Sequence, residues 1–480
     1  MAKWVQSFEE YAKQLLEKGK IIGASVGLAE NGELSYFQGF GLTDNTDDAQ
    51  AVTADTVFGI GSVTKVFTCV AIMQLQEAGK LSVHDPVIKY IPELRTPSEA
   101  HTREITIHHL MTHTAGFPAF DTLMGAMKRS MENDPHSGTF SSGLEFDLDK
   151  MEAIDTKDQF VAYISGLDYE LLGPPGTQFS YSNDSFALLG VIIERVSEIS
   201  YEQFVKENIL DPAGMTRSAF LLEDLPQDTQ VATLFTRKSA ADGGEVYRSP
   251  NWWDAPSMRA GGKLKSTIHD LLRFTEIFRT GGLVGTNRIL TEESVGQITL
   301  SHIQMNPHQG YGYGLMIASD CHGGTLIEHG GAVKGVSAQL FFHPERNLTG
   351  AVLMNVDGGP AADLMHGLLN ESNGKPANTP PFVYPDYEVS TEALTSLVGF
   401  YRSSEGANVT VEIQENGLVL KLLGSGVSLR PVGEDSFVWK RGENDSFVRF
   451  FRDETGASIR LFVGGRQLIK SPVNKEQATV

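Results

Sequence analysis

Phe58-Gly59-Ile60-Gly61-Ser62-Val63-Thr64-Lys65 is the most informative stretch of this chain. From Val63 to Ala78 the apolar residues follow helical spacing, and Gly79 supplies a C-terminal stop, so a helix is predicted there. Ser62 then stands at the helix head, with Lys65 three residues on. Positions i and i+3 share one helix face, so the amine can reach the hydroxyl. A serine hydroxyl is a weak nucleophile until a base removes its proton. A lysine can serve once burial or a neighbouring cation lowers its pKa. The helix N-terminus favours the anion that develops beside Ser62. The S-x-x-K spacing alone is unspecific, and two further segments give it weight.

One is Phe179-Ser180-Tyr181-Ser182-Asn183, just before a second apolar helix predicted over 184–198. A tyrosine can relay a proton, and an asparagine amide can hold a substrate carbonyl or a lysine amine. The other is Glu328-His329-Gly330-Gly331-Ala332, at the end of a predicted strand. Glycines there let a substrate backbone approach closely. A free N–H on that strand could pair with the N–H of Ser62 as an oxyanion hole.

Outward from these segments, residues 5–17 and 267–279 predict helices, the latter capped by Thr267. Asn31-Gly32 between two apolar runs predicts a hairpin. Strands are expected over 326–329, 337–343 and 350–355. Residues 117–150 and 221–258 lack periodicity and read as functional loops. The second holds Trp252-Trp253, which either line a pocket or pack in the core. Residues 373–381 are polar and proline-rich, as in a linker. Beyond 387 short apolar runs at regular spacing predict an all-β barrel or sandwich.

The chain has 480 residues, ample for a large core without staples. Its net charge of −21 argues against nucleic acid or an anionic membrane surface as partner. Cys69 and Cys321 are too few for a disulfide scaffold and read as buried thiols. No run reaches the roughly 18 apolar residues of a membrane span. Met1–Glu10 has no apolar signal core, so a cytoplasmic location is expected.

In order and context, the three segments resemble the serine β-lactamase-like, penicillin-binding-protein fold family, closest to its class C β-lactamase, D-aminopeptidase and esterase branch. Ile105–Gly116, Pro175-Gly176-Thr177 and Gly261-Gly262 with Ser266, Thr267 and Asp270 also look like that family. The resemblance implies an α+β fold: an antiparallel sheet flanked by helices, an all-helical subdomain, and a small C-terminal β-barrel resembling lipocalins. The expected division is a catalytic domain over 1–370, a linker over 371–386 and the barrel over 387–480.

The resemblance implies an acyl-enzyme hydrolase. Ser62 would be the nucleophile, Lys65 its base, and Tyr181 the proton carrier to the leaving group. Asn183 would orient the lysine and the substrate, His329 and Gly331 would face the substrate, and the N–H groups of Ser62 and Ala332 would hold the oxyanion. No metal or organic cofactor is implied. Many relatives carry a lysine where His329 stands, which suits a substrate carboxylate. Histidine is mostly neutral at pH 7. The expectation therefore moves towards a small peptide, amide or ester, with transacylation, β-lactam hydrolysis and a non-enzymatic penicillin-binding or peptide-sensing module as alternatives. His113 reads as a local hydrogen-bonding loop residue. The barrel could cover the cleft, mediate homo-oligomers, or simply stabilise the chain.

Overall fold

In the computed structural model, eight strands form one antiparallel sheet. They are β1 (Gly23–Glu30), β2 (Glu33–Gly41), β3 (Ile303–Asn306), β4 (Gln309–Tyr311), β5 (Met316–Cys321), β6 (Gly324–Val333), β7 (Val336–His343) and β8 (Leu348–Met354). Their spatial order is β2-β1-β8-β7-β6-β5-β4-β3. The structure describes residues 3–134, 137, 150–237, 244–415, 417–422, 425–442 and 444–471. The Asn31-Gly32 turn is as expected, with both residues at positive φ (56° and 84°), which matches the twist of paired strands.

Helices α1 (Lys3–Lys18), α2 (Thr64–Glu77), α3 (Asn183–Ser197), α4 (Ile268–Arg279) and α5 (Ala361–Glu371) pack around this sheet. Every residue of β7 is buried, and the alternation along it assigns the layers. Phe341 joins Phe8, Leu364 and Leu368 on the side of α1 and α5. Leu340 and Phe342 join the core shared with α2, α3 and α4. Helix α4 lies so close to β1 that a Cβ on Gly27 would collide with Ile268. Helix α2 is apolar nearly all round and is buried from Thr64 to Met73, as a central helix must be.

Strands β3 to β5 are not evident in the sequence pattern. They are short, four, three and six residues, with Gly310 in the middle one, too little for a period-2 pattern to stand out. The stretch 117–150 contains a helix, Thr122–Glu132, with Met124, Met127 and Met131 buried. Residues 135, 136 and 138–149 of that stretch lie outside the described residues. The stretch 221–258 contains a short ladder, Phe235–Arg237 with Val246–Arg248.

The barrel comprises β9 (Gly399–Arg402), β10 (Asn408–Gln414), β11 (Gly417–Leu422), β12 (Ser425–Gly433), β13 (Ser436–Arg441), β14 (Asn444–Arg452), β15 (Ser458–Val463) and β16 (Arg466–Ser471). Each strand pairs with the next, and β9 closes on β16. The expected all-β tail is corrected at Thr391–Leu397, which is helical. Ser390 caps it by accepting from Ala393 N–H, and Leu394 and Leu397, one turn apart, enter the barrel core. The barrel packs against the β3–β5 edge through Phe179, Tyr311, Phe462, Phe447 and Phe451.

Candidate active site

Gly61–Val63 makes one 3-10 turn ahead of α2. Gly61 holds φ at 51°, and Thr64 Oγ1 donates to its carbonyl at 2.7 Å. The turn sets Ser62 at the cleft while Lys65 points inward, fully buried. The lysine Nζ lies 3.2 Å from Ser62 Oγ, 2.9 Å from Asn183 Oδ1 and 2.6 Å from the Gly261 carbonyl. Burial, then the Arg466 charge, holds its pKa well below the ordinary lysine range. A neutral amine has two hydrogens and one lone pair. The Asn183 and Gly261 oxygens can only accept, so they take both hydrogens. The lone pair is left for the Ser62 hydroxyl.

Tyr181 hydrogen-bonds Ser62, and its ring lies 4.8 Å from the Lys65 amine. Burial raises the phenol pKa, so it stays protonated. Ser182 caps α3 by accepting from Ser185 N–H, which places Asn183 on the first turn facing Lys65. His113, at φ 58°, lies 4.3 Å from Tyr181, ring to ring. Its Nδ1 accepts from Ser182 N–H at 3.1 Å, and Nε2 lies 3.2 Å from Tyr311 Oη. It is thus more than a local loop residue, because it braces the turn that carries Tyr181.

His329 lies in the cleft wall but is 1% exposed. Its Nδ1 donates to the Gly330 carbonyl at 2.6 Å, and its Nε2 lies 3.3 Å from Tyr311 Oη. Burial and the Lys65 charge push its pKa down to about 3, so it supplies no positive charge. Both ring nitrogens already have partners within the protein.

Residues 329–333 of β6 pair with β7 on one side only, because the β5 pairing ends at Glu328. The open edge faces Ser62. A Cβ on Gly61 would sit 2.8 Å from Ala332 N, and one on Gly331 would collide with the Ile60 carbonyl. These two glycines let the strand lie directly against the Ser62 turn, with Ala332 N beside it.

Two site residues come from the barrel and escaped the sequence reading. Glu405 lies on the β9–β10 turn and Arg466 at the start of β16. Asn183 Nδ2 donates to Glu405 Oε1 at 3.3 Å, and Arg466 Nη2 donates to the same oxygen at 3.1 Å. The guanidinium lies 5.1 Å from the Tyr181 ring. Tyr181 N–H donates to the Gly465 carbonyl at 2.8 Å. The Gly464-Gly465 turn was the only sequence signal, and nothing local ties it to Ser62. Tyr311 was also missed.

The cleft has a volume of about 730 Å³ and holds Ser62, Tyr181, Asn183, His329, Gly331 and Ala332 in its walls. Leu123, Met124, Met127, Trp253, Met258 and Val333 form its apolar part. Trp253 donates to Asp134 at 3.0 Å. Trp252 does not line the cleft; it packs beneath Lys265 and against Gly59.

A family model described as Beta-lactamase matches residues 8–372. Protein flp of Staphylococcus aureus (strain MW2) is 25% identical over 409 residues, covering 82% of this chain and 72% of that protein. The octameric penicillin-binding protein homologue from Pyrococcus abyssi superposes with a TM-score of 0.68 at 27% identity, covering 97% of this chain and 100% of its own. SurE, solved with D-Leu, gives a TM-score of 0.69 at 25% identity, covering 97% and 98%.

Proposed function

The chain belongs to the Beta-lactamase family, in a superfamily of serine hydrolases, and on that premise we propose that it cleaves small peptides, amides or esters through an acyl-enzyme on Ser62. The observation that carries this reading is the buried Lys65 amine, anchored on the Asn183 and Gly261 oxygens and 3.2 Å from Ser62 Oγ. Burial lowers the lysine pKa, and in the neutral amine those two oxygens take both hydrogens and leave the lone pair for the Ser62 hydroxyl.

In this mechanism Lys65 takes the Ser62 proton as Oγ attacks the substrate carbonyl carbon. The carbonyl oxygen becomes an oxyanion between the N–H groups of Ser62 and Ala332. As the scissile bond breaks, the Tyr181 hydroxyl gives its proton to the leaving group and is replenished from Lys65. Water then enters, loses its proton to the same pair of groups, and releases the acid from Ser62.

The charges at the reacting centre favour a substrate with no carboxylate at the scissile bond. Burial lowers the Lys65 pKa, His329 is neutral, and Arg466 is balanced by Glu405. The apolar compartment around Trp253 suits a hydrophobic acyl group. The D-Leu in SurE supports a D-configured residue among the substrates. The division at residues 370 and 387 remains our domain reading. The octameric Pyrococcus abyssi relative supports self-association, which light scattering would measure. No helix among the described residues is long and apolar enough to cross a membrane.

The test combines turnover and intact mass on a chromogenic ester, D- and L-amino-acid amides and a cephalosporin. Turnover with an acyl adduct that vanishes in Ser62→Ala is expected. Undiminished turnover by Ser62→Ala on every substrate the native protein cleaves would refute the assignment. A persistent adduct without turnover would instead assign a slowly acylating, peptide-sensing module, and capture of the acyl group by an added amine would assign a transacylase.

A further inference from the structure

On the other side of β6 from Ser62, three side chains with metal-ligating atoms converge. Cys321 ends β5, His322 follows in the turn to β6, and His366 lies on α5. All three are buried, with exposures of 1%, 7% and 7%. Their ligating atoms lie within 4.8 Å of one another, and His322 Nε2 is 2.9 Å from His366 Nδ1. We propose that Cys321, His322 and His366 form a zinc site that ties the β5–β6 turn to α5.

Zinc takes thiolate and imidazole ligands at about 2.3 and 2.0–2.1 Å in tetrahedral geometry, which spaces ligand atoms by roughly 3.4–3.7 Å. Shifts of an ångström or less in the side chains reach that spacing. The His322 tautomer is already arranged. The Asn370 side chain hydrogen-bonds His322. Its amide nitrogen is committed to the Ala377 and Thr379 carbonyls at 3.1 and 2.8 Å. That leaves the amide oxygen to accept from the His322 ring, so the Nε2 lone pair accepts from His366 Nδ1–H; a metal between the two rings takes the place of that hydrogen as the His366 proton moves to that ring's own Nε2. Such outer partners orient metal-bound histidines.

Burial keeps both imidazoles in the neutral, ligating form. The Cys321 thiol is a buried free cysteine that carries its proton without a metal. Zinc would displace that proton: the S–H bond breaks, the Zn–S bond forms, and one proton leaves to solvent. Arg346 and Lys375 oppose a cation here, while Asp320, Glu328 and Glu345 offset them. His366 also lies in the wall of the cleft, which gives an ion its route in.

The test is cobalt titration of the metal-stripped full chain. One equivalent should bind with release of one proton and a thiolate-to-cobalt charge-transfer band in the near ultraviolet, and zinc should displace it with loss of that band. Cys321→Ser should abolish that band, and His366→Ala should weaken binding by about tenfold or more. Absence of the thiolate band in the native chain, which needs no variant to fold, would overturn the site. So would one-equivalent uptake that survives the double variant, since the ion would then sit elsewhere, for example at His84, His108 and His302. Because these readouts do not involve turnover, they stand apart from the proposal for Ser62.

Discussion

Glu405 is the barrel residue through which the two halves of the molecule share one site, and its replacement by glutamine tests that coupling. The carboxylate accepts from Asn183, whose other end holds Lys65. After burial, Arg466 is the charge that most depresses the lysine pKa, and Glu405 is the first that raises it. The path through Asn183 puts the Glu405 charge within roughly 8 Å of the Lys65 amine, where a unit charge at an effective dielectric of about 20 contributes about 2 kcal/mol. Partial solvent access reduces this. In the proposed mechanism the amine must be neutral, so the rate rises as pH passes through the lysine pKa. Removing Glu405 lowers that pKa, and the acidic limb of kcat/KM should move down by about one pH unit. Arg466→Gln removes the opposing charge and should move the limb up. In Glu405→Gln, kcat should fall about tenfold as Asn183 loses its anchor, and stability should fall by about 1–3 kcal/mol because Arg466 keeps no counter-ion. The assay is a pH–rate profile on the best ester or amide, with chemical denaturation alongside. Limbs that stay fixed, or move the same way in both variants, would refute the coupling.

Three further outcomes follow from other residues. Asp184 is buried, and its pKa is raised to about 7 from 3.8, so the folded chain keeps a proton that the unfolded chain loses. Stability should therefore fall as pH rises from about 4 to about 7, by up to roughly 3–4 kcal/mol, and Asp184→Asn should flatten that slope in denaturation measured across the range. Gly61→Ala places a Cβ 2.8 Å from Ala332 N on a residue at φ 51°. It should cost about 1–2 kcal/mol of stability and slow acylation at least a hundredfold, read by stopped-flow and calorimetry. Trp253→Ala enlarges the apolar compartment and should raise KM for substrates with bulky hydrophobic acyl groups more than for acetyl esters; equal effects on both would remove Trp253 from acyl recognition.

Short-range signals made much of this molecule legible. Asn31-Gly32 identified its hairpin because positive φ at two adjacent positions is a local requirement. Helices α2 and α3 followed from unbroken apolar runs, and Ser62 with Lys65 from one turn of helical spacing. Strands β3 to β5 were illegible because each is only three to six residues long, too short for periodicity to register. The helix Thr391–Leu397 was hidden in a strand-rich tail, since only the barrel core explains its two leucines.

The chain's own order determined that a hydroxyl and an amine share a helix face, that a phenol and an amide precede a second helix, and that a glycine-rich strand end stands ready to meet them. Only the tertiary structure decided that burial lowers the lysine pKa, that His329 faces Tyr311, that Trp253 and not Trp252 reaches the cleft, and that Glu405 and Arg466 stand beside Asn183. Periodicity and turn chemistry act over a few residues and are written locally. Desolvation and charge pairing depend on which distant segments exclude water together, and sequence spacing carries no record of that.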